Sequence, residues 1–139
     1  MNAEFAPPAS SLKHGERPRV LIVEDDPVVR RLLRMRLHRA GFNVVSASSG
    51  EEAMAFAEND QDPIHLLITD GVMPGIDGFE VARRFSEREP AVRAILLSGY
   101  LHHFVSRPDI PWNVEAFFSK PFSGNELVAK ALEMIGVTA

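Results

Sequence analysis

The sequence predicts a single α/β domain of five βα units, with a parallel sheet covered by helices on both faces. Three observations carry this prediction. Five short apolar runs rich in Val, Ile, Leu, Ala or Phe recur along the chain, and continuous apolar character marks a strand buried on both faces. Helical spacing and helix-start signals fill the stretches that follow these runs, and strict strand–helix alternation calls for parallel pairing with right-handed crossovers. Finally, 139 residues with 45% hydrophobic content supply one core and not two.

The elements follow in order. Arg19–Val23 (RVLIV) reads as the first strand. Asp26 can cap the helix that follows and Pro27 suits its first turn; Val29, Leu32, Leu33 and Leu37 recur at helical spacing, and Gly41 suits the stop. Asn43–Ala47 is the second strand, and Ser49-Gly-Glu-Glu52 forms a capping box for a helix to about Glu58. Ile64–Thr69 is the third strand and ends at Asp70. Gly71–Gly78 is a loop full of helix breakers, and Asp77-Gly-Phe-Glu80 opens a helix that ends before Pro90. Ala94–Leu97 is the fourth strand, ending at Ser98, and Ala116–Ser119 the fifth, ending at Lys120. Ser123-Gly-Asn-Glu126 caps a last helix whose apolar face is Leu127, Val128, Ala131, Leu132 and Ile135, closed by Gly136.

Residues 1–17 are rich in Ala, Pro and Ser without a period and read as a flexible tail, leaving 18–139 as the domain. The absence of cysteine excludes disulfides, thiolate metal sites and cysteine nucleophiles. A net charge of −4 gives no sign of a nucleic-acid-binding body. No stretch approaches the roughly 18 apolar residues of a membrane span. With no secretory signal in the sequence either, the expectation is a cytoplasmic protein without membrane or nucleic-acid partners.

The functional expectation rests on where polar residues fall. Glu24 and Asp25 follow the first strand, Asp70 the third, Ser98 the fourth and Lys120 the fifth. In an open parallel sheet the carboxyl ends of the strands share one edge, where ligands bind. Four loops distant in sequence therefore bring three carboxylates, a hydroxyl and an amine to one crevice. Each has a plainer reading alone: Asp70 as a loop cap, Glu24 and Asp25 as acids at a helix start, Lys120 as a solvated lysine. Together they fit one chemistry. Clustered carboxylates repel and need a cation, and hard oxygen ligands without His or Cys favour Mg²⁺. A hydroxyl and an ammonium beside a metal-bound carboxylate suit phosphoryl oxygens, and the carboxylate itself can be the nucleophile.

The stretches LIVEDD (Leu21–Asp26), LLITDGVMPGIDG (Leu66–Gly78), LLSG (Leu96–Gly99) and FFSKPF (Phe117–Phe122) resemble the response-regulator receiver domains of two-component signalling. The resemblance covers roughly residues 18–136 and implies a flavodoxin-like three-layer fold with strand order 2-1-3-4-5. It implies that Asp70 is the phospho-acceptor, that Asp25 ligates Mg²⁺ (or Mn²⁺) directly and Glu24 through water, and that Val72 adds its backbone carbonyl. Ser98 and Lys120 match the residues that bind the phosphoryl group, Phe117 matches an aromatic switch, and Pro121 matches a proline after a cis peptide bond. The implied phosphodonor is a histidine kinase or a histidine phosphotransfer protein, with a downstream protein target that the sequence does not identify. On this reading the chain is not an enzyme, since it catalyses only its own phosphorylation and dephosphorylation.

Some features depart from that pattern or leave choices open. Pro108 and Pro111 interrupt the region after Ser98, so the fourth helix is expected to be short or irregular, at about Leu101–Ser106. Val72 and Tyr100 flank the approach of an attacking water and are bulky enough to shield it, whereas Gly99 leaves room for a phosphodonor. Arg30, Arg31, Arg34 and Arg39 make the first helix basic, either as a solvated face or as a kinase-docking face. His102-His103 reads as surface polarity, and the pattern does not say which of Phe117 and Phe118 faces inward. An aspartyl-phosphate phosphatase is disfavoured because Val72 stands where those enzymes carry an acid/base aspartate. LLSGY and the proline-rich stretch resemble receivers attached to hybrid kinases, while Met1 and the terminal VTA favour a stand-alone receiver.

Overall fold

Each apolar run becomes a strand: β1 (Arg19–Val23), β2 (Asn43–Ala47), β3 (Leu66–Asp70), β4 (Arg93–Ser98) and β5 (Val114–Ser119). The computed structural model of the chain describes residues 16–59, 63–88, 91–99 and 108–136. Within them the strands form one 5-stranded sheet in the order β2-β1-β3-β4-β5, with every pairing parallel. This is the order the receiver resemblance implies. Ile22 pairs with Ile68 and Ile68 with Ile95, so the three central strands stack apolar residues across the middle of the sheet.

Four helices accompany the sheet among the described residues: α1 (Pro27–Arg39), α2 (Gly50–Asn59), α3 (Gly78–Ser86) and α4 (Gly124–Met134). The short helix expected at Leu101–Ser106, together with Tyr100, His102-His103 and residues 1–15 of the expected tail, lies outside the described residues.

The period-2 alternation of the strands sorts their side chains into two cores. Val20, Ile22, Leu66, Ile68, Ile95 and Leu97 face α1 and α4, packing on Leu33, Leu37, Leu127 and Ala131. Leu21, Val23, Leu67 and Ala94 face α2 and α3, packing on Ala53, Met54, Val81 and Phe85. Burying one such aliphatic side chain stabilises the fold by about 1.5–3 kcal/mol. Phe118 joins the first core, while Phe117 lies on the other face with Phe79, Leu96, Ile110 and Val114.

The helix starts form largely as the sequence predicts. The Asp26 side chain accepts from the amides of Val28 and Val29, Asp77 from Glu80, and Ser123 from Glu126. Gly41 ends α1 with φ +106°, a left-handed conformation that a side chain disfavours. The Ser49 capping box differs in one half. Ser49 Oγ accepts from the Glu52 amide at 3.0 Å, but the Glu52 carboxylate reaches back to the amide and hydroxyl of Ser48 rather than to Ser49.

Two strand starts differ from expectation by two residues. β3 starts at Leu66 rather than Ile64, because His65 is occupied with the start of β1: its amide donates to the Arg19 carbonyl at 2.8 Å and its Nδ1 accepts from the Arg19 amide at 2.8 Å. β5 starts at Val114, two residues early, where an irregularity in register between Ala94 and Ile95 accommodates it. The Asn113 side chain just before it is fully buried, its amide donating to the carbonyls of Ala82 (2.9 Å) and Val92 (2.5 Å).

Candidate functional site

The carboxyl ends of β1, β3, β4 and β5 meet at a cleft of about 340 Å³ lined by Glu24, Asp25, Asp26, Asp70, Val72, Ser98, Gly99 and Lys120. Every described residue singled out from the sequence for the reacting centre is in this lining; Phe117 sits one layer behind it, against Leu96.

Asp70 is the last residue of β3 and only 5% exposed. Its backbone is fixed from several sides. Its carbonyl accepts from Thr69 Oγ1 at 2.9 Å, and the next amide, Gly71, donates to the Leu97 carbonyl of β4 at 2.8 Å. Gly78 at the start of α3 rests directly on the Asp70 carbonyl, and a Cβ there would stand 1.9 Å from that oxygen. The position therefore admits glycine alone without displacing the strand end.

Glu24 is fully buried beside it. The Glu24 Oε2 accepts from the Asp26 amide at 3.0 Å, and its carbonyl accepts from Arg30 Nη1 at 2.8 Å. Arg30 thus braces the acidic loop instead of forming part of a wholly solvated face. Asp25 stands exposed at the rim. Lys120 follows β5, its amide donating to the Ser98 carbonyl at 2.8 Å, and the Lys120–Pro121 peptide is cis as the resemblance implies. Its Nζ lies between the two buried acids, 2.8 Å from Glu24 Oε1 and 2.7 Å from Asp70 Oδ1. The ammonium therefore has the acidic partners that a buried strand end demands. Ser98, the last residue of β4, is 3% exposed.

The electrostatics are those of a crowded acidic site. Burial pushes the Asp70 carboxyl up from 3.8 to about 8; the neighbouring Glu24 carboxylate adds to this and Lys120 opposes it. Burial pulls the Lys120 ammonium down, but Asp70 and Glu24 outweigh it and hold its pKa above the usual value. One oxygen each from Glu24, Asp25 and Asp70 lies within 4.8 Å of the others. Three carboxylates against one ammonium leave a formal charge of −2, and all the donors are hard oxygens. This donor set fits a divalent cation of the Mg²⁺ type.

Comparison with known proteins agrees with the geometry. The family model described as "Response regulator receiver domain" matches residues 20–132. The response regulator receiver protein CpdR of Brucella abortus is 35% identical over 118 residues, covering 84% of this chain and 96% of that protein. The sensor kinase CckA of the same organism is 31% identical over 141 residues, covering 96% of this chain but 15% of the kinase. Against three transcriptional regulatory proteins the chain spans under half of their length, 44–49%. Among solved structures, the response regulator TrrA of Thermotoga maritima, in complex with Mg²⁺ and BeF, superposes with a TM-score of 0.72 at 32% identity, covering 84% of this chain and 98% of that one. An open α/β sheet with an acidic cleft at its carboxyl edge defines the class. The chain belongs to the response regulator receiver domain family of two-component signalling.

Two charged residues at the site were not recognised from sequence. Arg30 and Glu51 each satisfy a backbone group of a site loop: Arg30 the Glu24 carbonyl and Glu51 the Ile76 amide, at 3.1 Å. The Glu51 partner is 25 residues away and leaves no local signal, whereas Arg30 reaches back six residues to a loop carbonyl that the spacing of apolar residues does not specify. Trp112 is exposed, and nothing in the structure assigns it a function. Among the described residues no helix is long and apolar enough to cross a membrane.

Proposed function

We propose that this receiver accepts a phosphoryl group on Asp70 from the phosphohistidine of a histidine kinase or histidine phosphotransfer protein, and that the modified form presents an altered surface to a downstream protein. The observation that carries the reading is the placement of Lys120 Nζ between the buried carboxylates of Glu24 and Asp70, with Asp25 at the mouth. A carboxylate oxygen of Asp70 attacks phosphorus in line, the P–N bond breaks, and the imidazole departs with the electron pair. It leaves neutral when its other nitrogen carries a proton. Lys120 then holds positive charge where the phosphoryl oxygens arrive, and the Ser98 hydroxyl, in the lining of the same cleft, donates to one of them. Asp25, Asp70, the Val72 carbonyl and, through water, Glu24 would hold Mg²⁺ or Mn²⁺, a cation that offsets charge on the transferring group. The likeness to a response regulator solved with Mg²⁺ and BeF supports that choice.

Ser98 moving toward the phosphoryl group would open space on its own strand. Phe117, half-buried against Leu96 and Phe79, then takes it, shifting a two-state equilibrium of the β5 surface; its packing beside β4 supports this reading. The likeness to CpdR, across 96% of that protein, supports a receiver that works on its own; the likeness to CckA supports one that works within a kinase. The chain turns over no separate metabolite in either setting.

Incubation with acetyl phosphate and with a panel of phosphorylated histidine kinases tests the acceptor. The wild-type chain takes up one phosphoryl group that base and hydroxylamine release, as an acyl phosphate requires, and Asp70→Asn takes up none; labelling that survives the substitution sinks the assignment. Val72 is 56% exposed at the cleft and, with Tyr100, is proposed to shield the acyl phosphate from water, while Gly99 leaves the donor's path open. Phosphate release from phosphorylated Val72→Asn and Tyr100→Glu should then be clearly faster than from the wild type, and equal rates would remove the shielding role.

A further inference from the structure

We propose that Glu51, in the first turn of α2, is a positioning residue that braces the Gly71–Asp77 loop and so sets the metal-binding half of the site. This rests on the reading above, in which Asp70 and the Val72 carbonyl face the cation. The loop follows the acceptor directly and carries no strand or helix. Its ends are tied by the Gly71 amide to Leu97 (2.8 Å) and by the Gly78 amide to the Gly71 carbonyl (2.9 Å). Its middle leans on α2. Met73 is buried in the same core as Ala53 and Met54, and Ile76 packs on that core.

The polar part of this contact is Glu51. Its Oε2 accepts the Ile76 amide at 3.1 Å, across 25 residues of sequence. The carboxylate lies over Gly75, whose φ is +77°, and a Cβ there would stand 2.2 Å from Oε2. From the helix side, a Cβ on Gly50 would stand 2.2 Å from the Ile76 carbonyl. Two glycines on opposite sides of the contact thus make room for one carboxylate and one close backbone approach. An acid in the first turn of a helix is favoured by the helix dipole whatever else it does. That preference does not aim the side chain, however, and the capping role here belongs to the neighbouring Glu52, whose carboxylate accepts from Ser48 and whose amide donates to Ser49 Oγ. Glu51 is left to hold the loop.

Groups that orient metal-ligating loops change metal affinity without touching the ion. Three measurements on the full chain decide the matter: the Mg²⁺ dissociation constant by calorimetry, the hydrogen-exchange rate of the Ile76 amide, and the melting temperature. Glu51→Ala should weaken Mg²⁺ binding about tenfold, the low end for groups that orient ligands from behind, because Glu51 is exposed. It should also speed exchange at Ile76. Glu51→Gln, whose amide oxygen can accept the same N–H, should recover most of both. Glu58→Ala, at the far end of the same helix, should change neither. A lowered melting temperature with an unchanged Mg²⁺ constant overturns the proposal, as does faster Ile76 exchange without loss of affinity. A wild-type chain that binds Mg²⁺ but takes up no phosphoryl group defeats the functional reading, and the brace then stands or falls on affinity and exchange. A wild-type chain that binds no Mg²⁺ overturns both.

Discussion

Strands β3 and β5 each end at a residue of the acidic cleft, yet they are built differently. β3 is buried at all of its 5 positions and paired on both sides, whereas β5 has no fully buried residue and pairs with β4 alone. Asp70, the proposed acceptor, therefore hangs from the most constrained strand of the sheet, and Lys120 from an edge that water reaches. A fixed centre suits in-line chemistry, which tolerates little displacement. An exposed edge suits a surface that other proteins read.

Three experiments can break or sharpen that contrast, in order of expected effect. Ile68→Ala in β3 should cost about 2–5 kcal/mol by chemical denaturation, because a fully buried side chain leaves a cavity among Ile22, Ile95 and their neighbours. Phe118→Ala in β5, half-buried, should cost clearly less than the usual 3–5 kcal/mol for a core Phe. Equal costs would erase the distinction.

The second experiment concerns charge at the end of β3. The pKa of Asp70 is raised on folding, so its contribution to stability is fully present below the ordinary carboxylate range and is lost as pH rises from 3.8 toward 8. In the metal-free protein Asp70→Asn should remove that loss, raising the melting temperature at pH 8. The gain should shrink toward pH 4 and with saturating Mg²⁺. A variant that melts below the wild type at pH 8 would mean that Lys120 more than compensates for burial.

The smallest effect belongs to the edge. Glu115 on β5 pairs with Arg93, itself bonded to the Met134 carbonyl, and both side chains are partly exposed. Glu115→Ala should cost under about 1 kcal/mol, and less in high salt. A salt-independent loss of several kcal/mol would show that β5 is held as tightly as β3.

The same contrast explains what the sequence made legible. β1, β3 and β4 are buried on both faces and read as unbroken apolar runs, so Asp70 and Ser98 could be placed at the strand ends. The start of β5 mixes Val114 with Glu115, and its first two residues escaped notice. Lys120 was still placed, because the end of that run, Ala116–Ser119, is apolar up to Ser119 and leads directly into it. Arg30, Glu51 and Asn113 were missed for a different reason. Each is a polar residue whose partner is a backbone group far away or in another element, and a single sequence holds no local trace of such a pair. Both rings of the Phe117-Phe118 pair proved half-buried, on opposite faces of an edge strand. Pattern alone cannot order them.

The seat of Gly78 on the Asp70 carbonyl bears on how variant libraries of this chain should be interpreted. Any other residue at 78 pushes on the strand end that carries Asp70, so on the proposed reading substitutions there should weaken phosphorylation with the Asp70 carboxylate still in place. A screen scored on signalling output would rank the two positions together. Only one of them carries the proposed reacting oxygen, and the other is a gap that has to stay empty.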